Sequence, residues 1–343
     1  MPSPDDPPTA PSALCFAVLR HIGTDAFRSG EIIADAIGRT RATVWNAVAE
    51  AERFGVAIVH VRGRGYRLAE AVDWLDATRV REALGPRSAR FDLEVLDACA
   101  STSSVLLARA ASLPSGHVVA TEAQTAGRGR LGRPWHSRLG DGLAFSLLWR
   151  LPGGAATLSG LSLAVGLGVL RGIEAAGIDG IRLKWPNDLV WNGRKVGGIL
   201  IELAGDMLGP STAVVGIGLN IHMSPEQAAG IGQPATGLAQ IAGARPSRNR
   251  LLGAVLAALA DVLDRFARDG FAALRSEWEA ASAMAGADVV VDEGERGARV
   301  GRYAGVDDAG ALRIVVGGIE QRVLSGDVRV RFREAAAAGG SAA

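Results

Sequence analysis

The chain is poor in several things that would narrow its chemistry at once. Only two cysteines occur in 343 residues, Cys15 and Cys99, far apart and without a metal-type spacing. Neither a disulfide framework nor a zinc site is therefore indicated. Five scattered histidines form no ligand cluster, and with no Ser-His-Asp or Cys-His arrangement in view, nothing suggests covalent catalysis. An excess of charge is lacking too: 37 Lys and Arg stand against 36 Asp and Glu, a formal net charge of +1. Any nucleic-acid contact must then come from a local patch. The longest nearly apolar run, Leu158 to Leu170, falls short of the roughly 20 residues that a bilayer span needs. The N-terminal MPSPDDPPTAP is acidic and proline-rich, the reverse of a signal peptide, and EAAAAGGSAA at the other end is low-complexity. Residues 1–11 and 333–343 are expected to be disordered tails, and the protein to be cytoplasmic with no membrane partner.

What is present divides into segments of different texture. A length of 343 residues suggests two or three domains, and 48% apolar residues allow a large core. Residues 12–69 carry three helical patterns, with Ser29 and Thr40 as candidate caps and Gly38 and Gly55 as stops, followed by the alternating VAIVHVRGRGYRL of a hairpin. Three helices and a basic hairpin describe a winged helix-turn-helix. It holds eight arginines against five acids, a modest excess suited to phosphate contacts. Arg39, Thr40, Arg41 and Thr43 fall at the start of the third helix, where a recognition helix meets base edges; Asn46 suits adenine, and Arg62 and Arg64 flank the wing tip. A winged helix that serves only protein contact is the plainer alternative.

Residues 70–88 read as a linker forming one helix, and 89–284 as an α+β unit with more strands than helices, hairpins among them. That mixture predicts a mixed sheet packed by helices rather than a doubly wound parallel one. After Gly286 come short alternating runs separated by glycine turns, so 285–332 is expected to be a small β-barrel.

The stretch EAQTAGRGRLGRPWH, residues 122–136, alternates glycines with Arg128, Arg130 and Arg133 and closes on Trp135. Glycines let backbone approach a ligand, and guanidinium groups match phosphate or carboxylate oxygens two at a time. Its G-x-G-x-x-G spacing also fits a dinucleotide turn, but Arg-Pro-Trp-His stands where the helix should begin and no acid follows about twenty residues on. Lys184 and Asp188 in KWPND and Lys195 after the Asn192-Gly193 hairpin turn complete a set of cations with one carboxylate. Such a set suits phosphoryl or nucleotidyl chemistry, with Asp188 available to Mg²⁺. Plainer roles exist for each: a strand-edge lysine, an Asn-Asp turn former, a solvated hairpin residue. Trp135 belongs either to the core or over an adenine ring.

Together, Ser101-Thr102-Ser103, QTAGRGRLGRPW, KWPND, GRKVGGILIE and GIGLN resemble the biotin protein ligases across residues 14–331. The winged helix in front and barrel behind resemble the bacterial members that also repress biotin-synthesis genes. The resemblance implies a class II aminoacyl-tRNA synthetase-like catalytic domain and a C-terminal SH3-like barrel. It implies activation of biotin by ATP and Mg²⁺ to biotinyl-5′-AMP, then transfer to a lysine of the biotin carboxyl carrier protein of acetyl-CoA carboxylase. By the same resemblance, Ser101, Thr102, Gln124, Gly127, Arg128 and Lys195 bind biotin, with Gly197 and Ile199 at its ureido end. Arg130, Arg133, Trp135, Lys184, Asn220 and Arg331 serve the adenylate or ATP; Lys195, Arg130, Lys184 and Asp188 carry the chemistry. Operator DNA and an adenylate-promoted homodimer are the further partners. Three departures from the family pattern stand out: Ser103 for an asparagine, Leu131 for an arginine, and Asn46-Ala47 for a lysine-histidine pair. A lipoate ligase, or a DNA-binding sensor without turnover, are the competing readings.

Overall fold

The computed structural model describes residues 10–135, 137–152, 158–204, 211–294, 297–325 and 328–332. Apart from Ala10 and Pro11, the two tails expected to be disordered lie outside the described residues.

The N-terminal unit follows its caps. Helix α1 (Ala13–Arg20) begins where the Ser12 hydroxyl accepts from the Cys15 amide, and α2 (Gly30–Ile37) where Ser29 accepts from Ile32. Gly38, at φ 63°, ends α2 in the left-handed region that favours glycine. Thr40 then caps α3 (Arg41–Arg53). Strands β1 (Ile58–Val61) and β2 (Gly65–Leu68) pair antiparallel as the wing. Cys15, Val18, Leu19, Ile33, Val44, Val48 and Tyr66 form a separate core beneath them.

The connector is helical over only half its length. Asp76 caps α4 (Ala77–Leu84), whose Val80 and Leu84 join the core of the next unit. Residues 71–76 form no regular element, and their polar groups are used elsewhere. Asp73 accepts from Ser247 and from the Arg248 amide, and the Asp76 amide donates to Asn249.

The central sheet contains β3 (Asp92–Cys99), β4 (His117–Gln124), β5 (Gly142–Leu151), β6 (Arg182–Lys184), β7 (Asp188–Trp191), β8 (Arg194–Ala204) and β9 (Ser211–Asn220). Their order is β3-β4-β5-β9-β8-β7-β6, with β3 parallel to β4 and every other pair antiparallel. The expected mixed sheet is therefore what forms. Helix α5 (Thr102–Arg109) packs on one face through Leu106. On the other lies the main core, where α6 (Leu161–Ala175) is so closely packed that a Cβ at Gly172 would stand 2.4 Å from Val255.

Short helices α7 (Pro225–Gly230) and α8 (Leu238–Ala242) precede α9 (Arg248–Asp269), which carries Val255, and α10 (Arg275–Ala280). The C-terminal unit is an antiparallel sheet of β10 (Asp288–Asp292), β11 (Ala298–Val306), β12 (Leu312–Val316), β13 (Ile319–Val323) and β14 (Arg329–Phe332), ordered β13-β12-β11-β10-β14. It is tied to the catalytic unit: Trp185 Nε1 donates to the Gly310 carbonyl at 3.0 Å, and the Val306 amide to Glu279 at 3.0 Å. Among the described residues, no helix is long and apolar enough to cross a membrane.

Candidate active site

A cavity of about 770 Å³ opens between the glycine/arginine loop, the central sheet and the edge of β14. Its size is that of a small-molecule site. The floor is flat because β9 has no side chain there. A Cβ at Gly216 would stand 2.6 Å from the Ser103 hydroxyl, and one at Gly218 would stand 2.4 Å from the Trp135 ring. The absence of those side chains lets a hydroxyl corner and an indole approach the sheet itself.

That corner is at the start of α5. Ser101 is the N-cap residue by position, yet its hydroxyl makes no capping bond. The Thr102 amide instead donates to Gln124 Oε1 at 2.9 Å, so a side chain from the end of β4 does the capping expected of the serines. Thr102 Oγ1 and Ser146 Oγ lie 2.7 Å apart, and Ser103 Oγ is 3.0 Å from the same Ser146. Serine in the family's asparagine position thus keeps a polar partner. Ser146 itself, fully buried on β5, went unrecognised in the sequence, where it is one serine in an apolar strand.

The loop folds back on itself. Gly129 donates to the Arg133 carbonyl at 2.7 Å and Trp135 to that of Gly127 at 2.8 Å, with Arg128 and Pro134 bridged between them. Leu131, in the arginine position of other members, takes a left-handed φ of 58° at the tip and is 37% exposed. Arg130 donates to Asn187 Oδ1 at 3.3 Å. Asn187 also spans to β8, its Nδ2 donating to the Ile199 carbonyl and its own carbonyl accepting from the Ile199 amide.

Lys195 enters the cavity through a β-bulge. Val190 pairs with Lys195 but Leu189 with Gly197, so Val196 is an extra residue. Val196 lies in the core, and a Cβ on Gly197 would strike Leu219 at 2.5 Å, on that same side. Two successive residues thus turn inward, and Lys195 falls on the cavity side with Gly198 and Leu200. Gly198 lines the cavity, and Gly197 is not among its lining residues. Lys195 Nζ stands 2.6 Å from Asp188 Oδ1. Both side chains are largely shielded from water, at 19% and 17% exposed.

Lys184, Lys195, Arg128, Arg130, Arg133, Arg329 and Arg331 all border the cavity, against Asp188 as the lining carboxylate. Burial pushes the Lys184 ammonium below the ordinary lysine range; Asp188 opposes this, and Lys195, Arg133 and Arg331 reinforce it. Its Nζ lies 5.6 Å over the Phe332 ring of β14. Lys184 and Lys195 are also the only lysines in the sequence, in a chain whose other cationic side chains are arginines.

The remaining expected residues fall out as follows. Ser101, Thr102, Gln124, Trp135, Ile199 and Asn220 line the cavity. Asn220 does so with its amide nitrogen committed, donating to the Lys195 and Thr236 carbonyls. Gly127 does not line it: a Cβ there would meet the Trp135 carbonyl at 2.4 Å, so its role is to let the loop close on itself. The backbone segment Gly230 to Ala235, unmarked in the sequence reading, forms a further wall.

On the winged helix, Arg39, Arg41, Asn46, Arg62 and Arg64 are exposed. Thr40 and Thr43 are turned to each other, hydroxyls 2.8 Å apart, which ties them to the helix cap. Trp45, absent from the expected set, is 59% exposed beside Asn46.

Comparison with known proteins follows the same division. Residues 96–220 match the model of the biotin/lipoate A/B protein ligase family, and residues 18–67 that of an HTH domain. The bifunctional ligase/repressor BirA of Escherichia coli is 34% identical over 308 residues, covering 90% of this chain and 94% of that protein. The biotin--[acetyl-CoA-carboxylase] ligase of Mycobacterium tuberculosis is 35% identical over 74% of this chain and 95% of its own length. Among solved structures, the biotin protein ligase from Aquifex aeolicus in complex with biotin and ATP superposes with a TM-score of 0.60 at 30% identity, covering 71% of this chain and 99% of that one.

Proposed function

The chain belongs to the biotin protein ligases of the bifunctional ligase/repressor type, and on that premise we propose how its cavity divides the work. Biotin and ATP give biotinyl-5′-AMP and pyrophosphate, and the adenylate then acylates a lysine of the biotin carboxyl carrier protein of acetyl-CoA carboxylase. One observation supports this most: the chain's only two lysines and an arginine-rich loop converge on a cavity whose other end is a buried hydroxyl and amide corner.

Biotin lies along the glycine floor, with its polar head toward Ser101, Thr102 and Gln124. Its carboxylate reaches Lys195, which also neutralises charge as an oxygen of that carboxylate attacks the α-phosphorus and pyrophosphate leaves. Arg130, Arg133 and Arg331 hold the phosphates, with Lys184 at the triphosphate. Trp135 and the wall at Gly230 to Ala235 enclose the nucleotide. Asn220 acts through shape, holding Lys195 and that wall together. In the second step the acceptor amine attacks the acyl carbon, AMP leaves with the bridging oxygen, and the ammonium proton passes to solvent. The loop keeps water from the mixed anhydride meanwhile.

Among the described residues, no three His, Cys, Asp or Glu side chains converge as a metal cage. Asp188 as the one lining carboxylate, with Lys195 Nζ 2.6 Å from its Oδ1, fits Mg²⁺ bound chiefly through phosphates and water. Asp188 would hold it, and the ion would neutralise the triphosphate.

The winged helix binds operator DNA of the biotin-synthesis genes, with Arg41 and Asn46 toward bases and Arg39, Arg62 and Arg64 toward phosphates. A homodimer is supported by β8. Its outer edge from Leu200 to Ala204 has no neighbouring strand among the described residues, and Leu203 is 51% exposed there. Mixing the protein with biotin, lipoate, ATP and Mg²⁺ and reading adenylates by mass spectrometry tests the ligase: biotinyl-5′-AMP is expected, and lipoyl-5′-AMP alone would refute it. A gel shift on the chain's own biotin-synthesis promoter, with and without the adenylate, tests repression.

A further inference from the structure

Among the contacts that the arginine loop makes with the body of the protein, three involve its larger side chains. Trp135 sits over Gly218, and Arg130 reaches Asn187; both partners belong to the cavity wall. The third contact is of a different kind. Arg128 Nη2 lies 2.9 Å from one oxygen of Glu202 and 3.1 Å from the other, and Glu202 is outside the cavity lining. By the alternation of β8, Glu202 shares the face of Gly198 and Leu200, one strand step beyond the wall. Arg128 borders the cavity, and its guanidinium is paired at the rim.

We propose that Glu202 is a positioning residue for the ligase reaction, anchoring the loop in its closed place through Arg128. The inference rests on the biotin-adenylate reading of the cavity. Electrostatics supply the reason such an anchor is needed. Before an anionic ligand arrives, a loop carrying Arg128, Arg130 and Arg133 must approach Lys184, Lys195 and Arg331, with Asp188 as the lining carboxylate. Like charges drive the loop off, and a carboxylate on the rim offsets one of them without occupying ligand space. The pair is partly exposed, at 44% and 22%, so its strength is modest. Modest strength suits a loop that must open for biotin and again for the acceptor lysine.

The test uses the full chain as wild type, Glu202→Gln, Arg128→Glu, and the reversed pair Arg128→Glu/Glu202→Arg. Three readouts apply: release of preformed biotinyl-5′-AMP, the Michaelis constant for biotin against kcat of adenylation, and tryptic cutting of the loop without ligand. Glu202→Gln should release adenylate about 2–5-fold faster, the range set by an exposed pair. The Michaelis constant for biotin should rise by a similar factor with kcat unchanged, and the loop should be cut faster. The reversed pair should recover most of what Arg128→Glu loses. Unchanged release and cutting in Glu202→Gln would overturn the proposal. So would failure of the reversed pair to recover, since Arg128 would then act on ligand by its own charge. If the wild type forms no biotinyl-5′-AMP, the functional reading fails instead, and the ligand-free cutting rates still decide the anchor.

Discussion

Replacing Arg248 by methionine is expected to be among the costliest single changes in this chain. Arg248 and Glu122 form an ion pair whose side chains are 1% and 0% exposed. The guanidinium donates to the Asp73 carbonyl from Nε at 3.0 Å and from Nη2 at 2.8 Å, to Gly142 from Nη1 at 3.1 Å, and to the Glu122 carboxylate. Without it, Glu122 keeps the Leu75 amide at 2.6 Å as its donor among the described residues, and the buried Gly142 carbonyl and the part-buried Asp73 carbonyl lose the guanidinium. Removing one partner of such a pair costs about 3–5 kcal/mol. For a unit of this size that is a fall in Tm of roughly 6–20 °C, at about 2–4 °C per kcal/mol. Calorimetry on the full chain should show the transition of the catalytic unit lowered and that of the winged helix, with its separate core, little changed. Glu122→Leu/Arg248→Met should restore much of the loss, since apolar replacement of both members is often near neutral. A loss below about 1 kcal/mol, or a double variant worse than the single, would refute this account of the pair.

Four further outcomes follow from the cavity and the wing. Gly218→Ala puts a Cβ 2.4 Å from the Trp135 ring, so it should displace the indole and raise adenylate release while the melting temperature moves little; unaltered release would mean that Trp135 is not a lid. Because burial holds the Lys184 ammonium below the usual lysine range, its charge is lost earlier as pH rises, and the Michaelis constant for ATP should climb on the alkaline side but stay flat in Lys184→Arg. The unfolded chain binds more protons than the folded one between the lowered and ordinary values, so this lysine makes stability rise with pH through that window. Arg62→Ala and Arg64→Ala should each weaken binding to operator and unrelated duplexes alike and reduce the salt slope by about one; loss confined to one sequence would point to base contacts. Arg130→Ala should leak adenylate and label bystander proteins, yet intact-mass analysis should find the ligase free of surface ε-biotinylation, because its two lysines both border the cavity. Unchanged selectivity in that variant would remove the retention role.

The order of the elements was legible because each carries a local signal. Ser12, Ser29, Thr40 and Ser247 cap helices where helical periodicity begins, and Asn192-Gly193 turns β7 into β8 with both residues at positive φ. What was not legible depends on distant pairing. No pattern near Glu122 announces that it meets Arg248, 126 positions away, nor that the stretch before Asp76 is held by the start of α9. Ser146 reads as a break in an apolar strand until Thr102 and Ser103 are brought over it. The connector shows the same limit: its charge pattern suits one helix, but tertiary hydrogen bonds claim the first half.

Within the site, residue type was readable but side-chain direction was not, and β8 shows why. The family resemblance implies Lys195, Gly197 and Ile199 at biotin, and simple strand alternation would put all three on one face. The bulge at Val196 breaks that parity, so Lys195 joins Gly198 and Leu200 on the cavity side, while Gly197 faces Leu219. A glycine at 197 is needed all the same, because a side chain there would drive β8 away from β9 and carry Lys195 with it. Gly127 and Asn220 follow the same logic, the first letting the loop close on the Trp135 carbonyl and the second tying Lys195 to Thr236. Such residues help hold the lysines and the arginine loop in register through backbone packing and hydrogen bonds. Substituting them should therefore shift binding of biotin and of ATP together, whereas Lys184, which we propose to serve the triphosphate, should shift ATP alone.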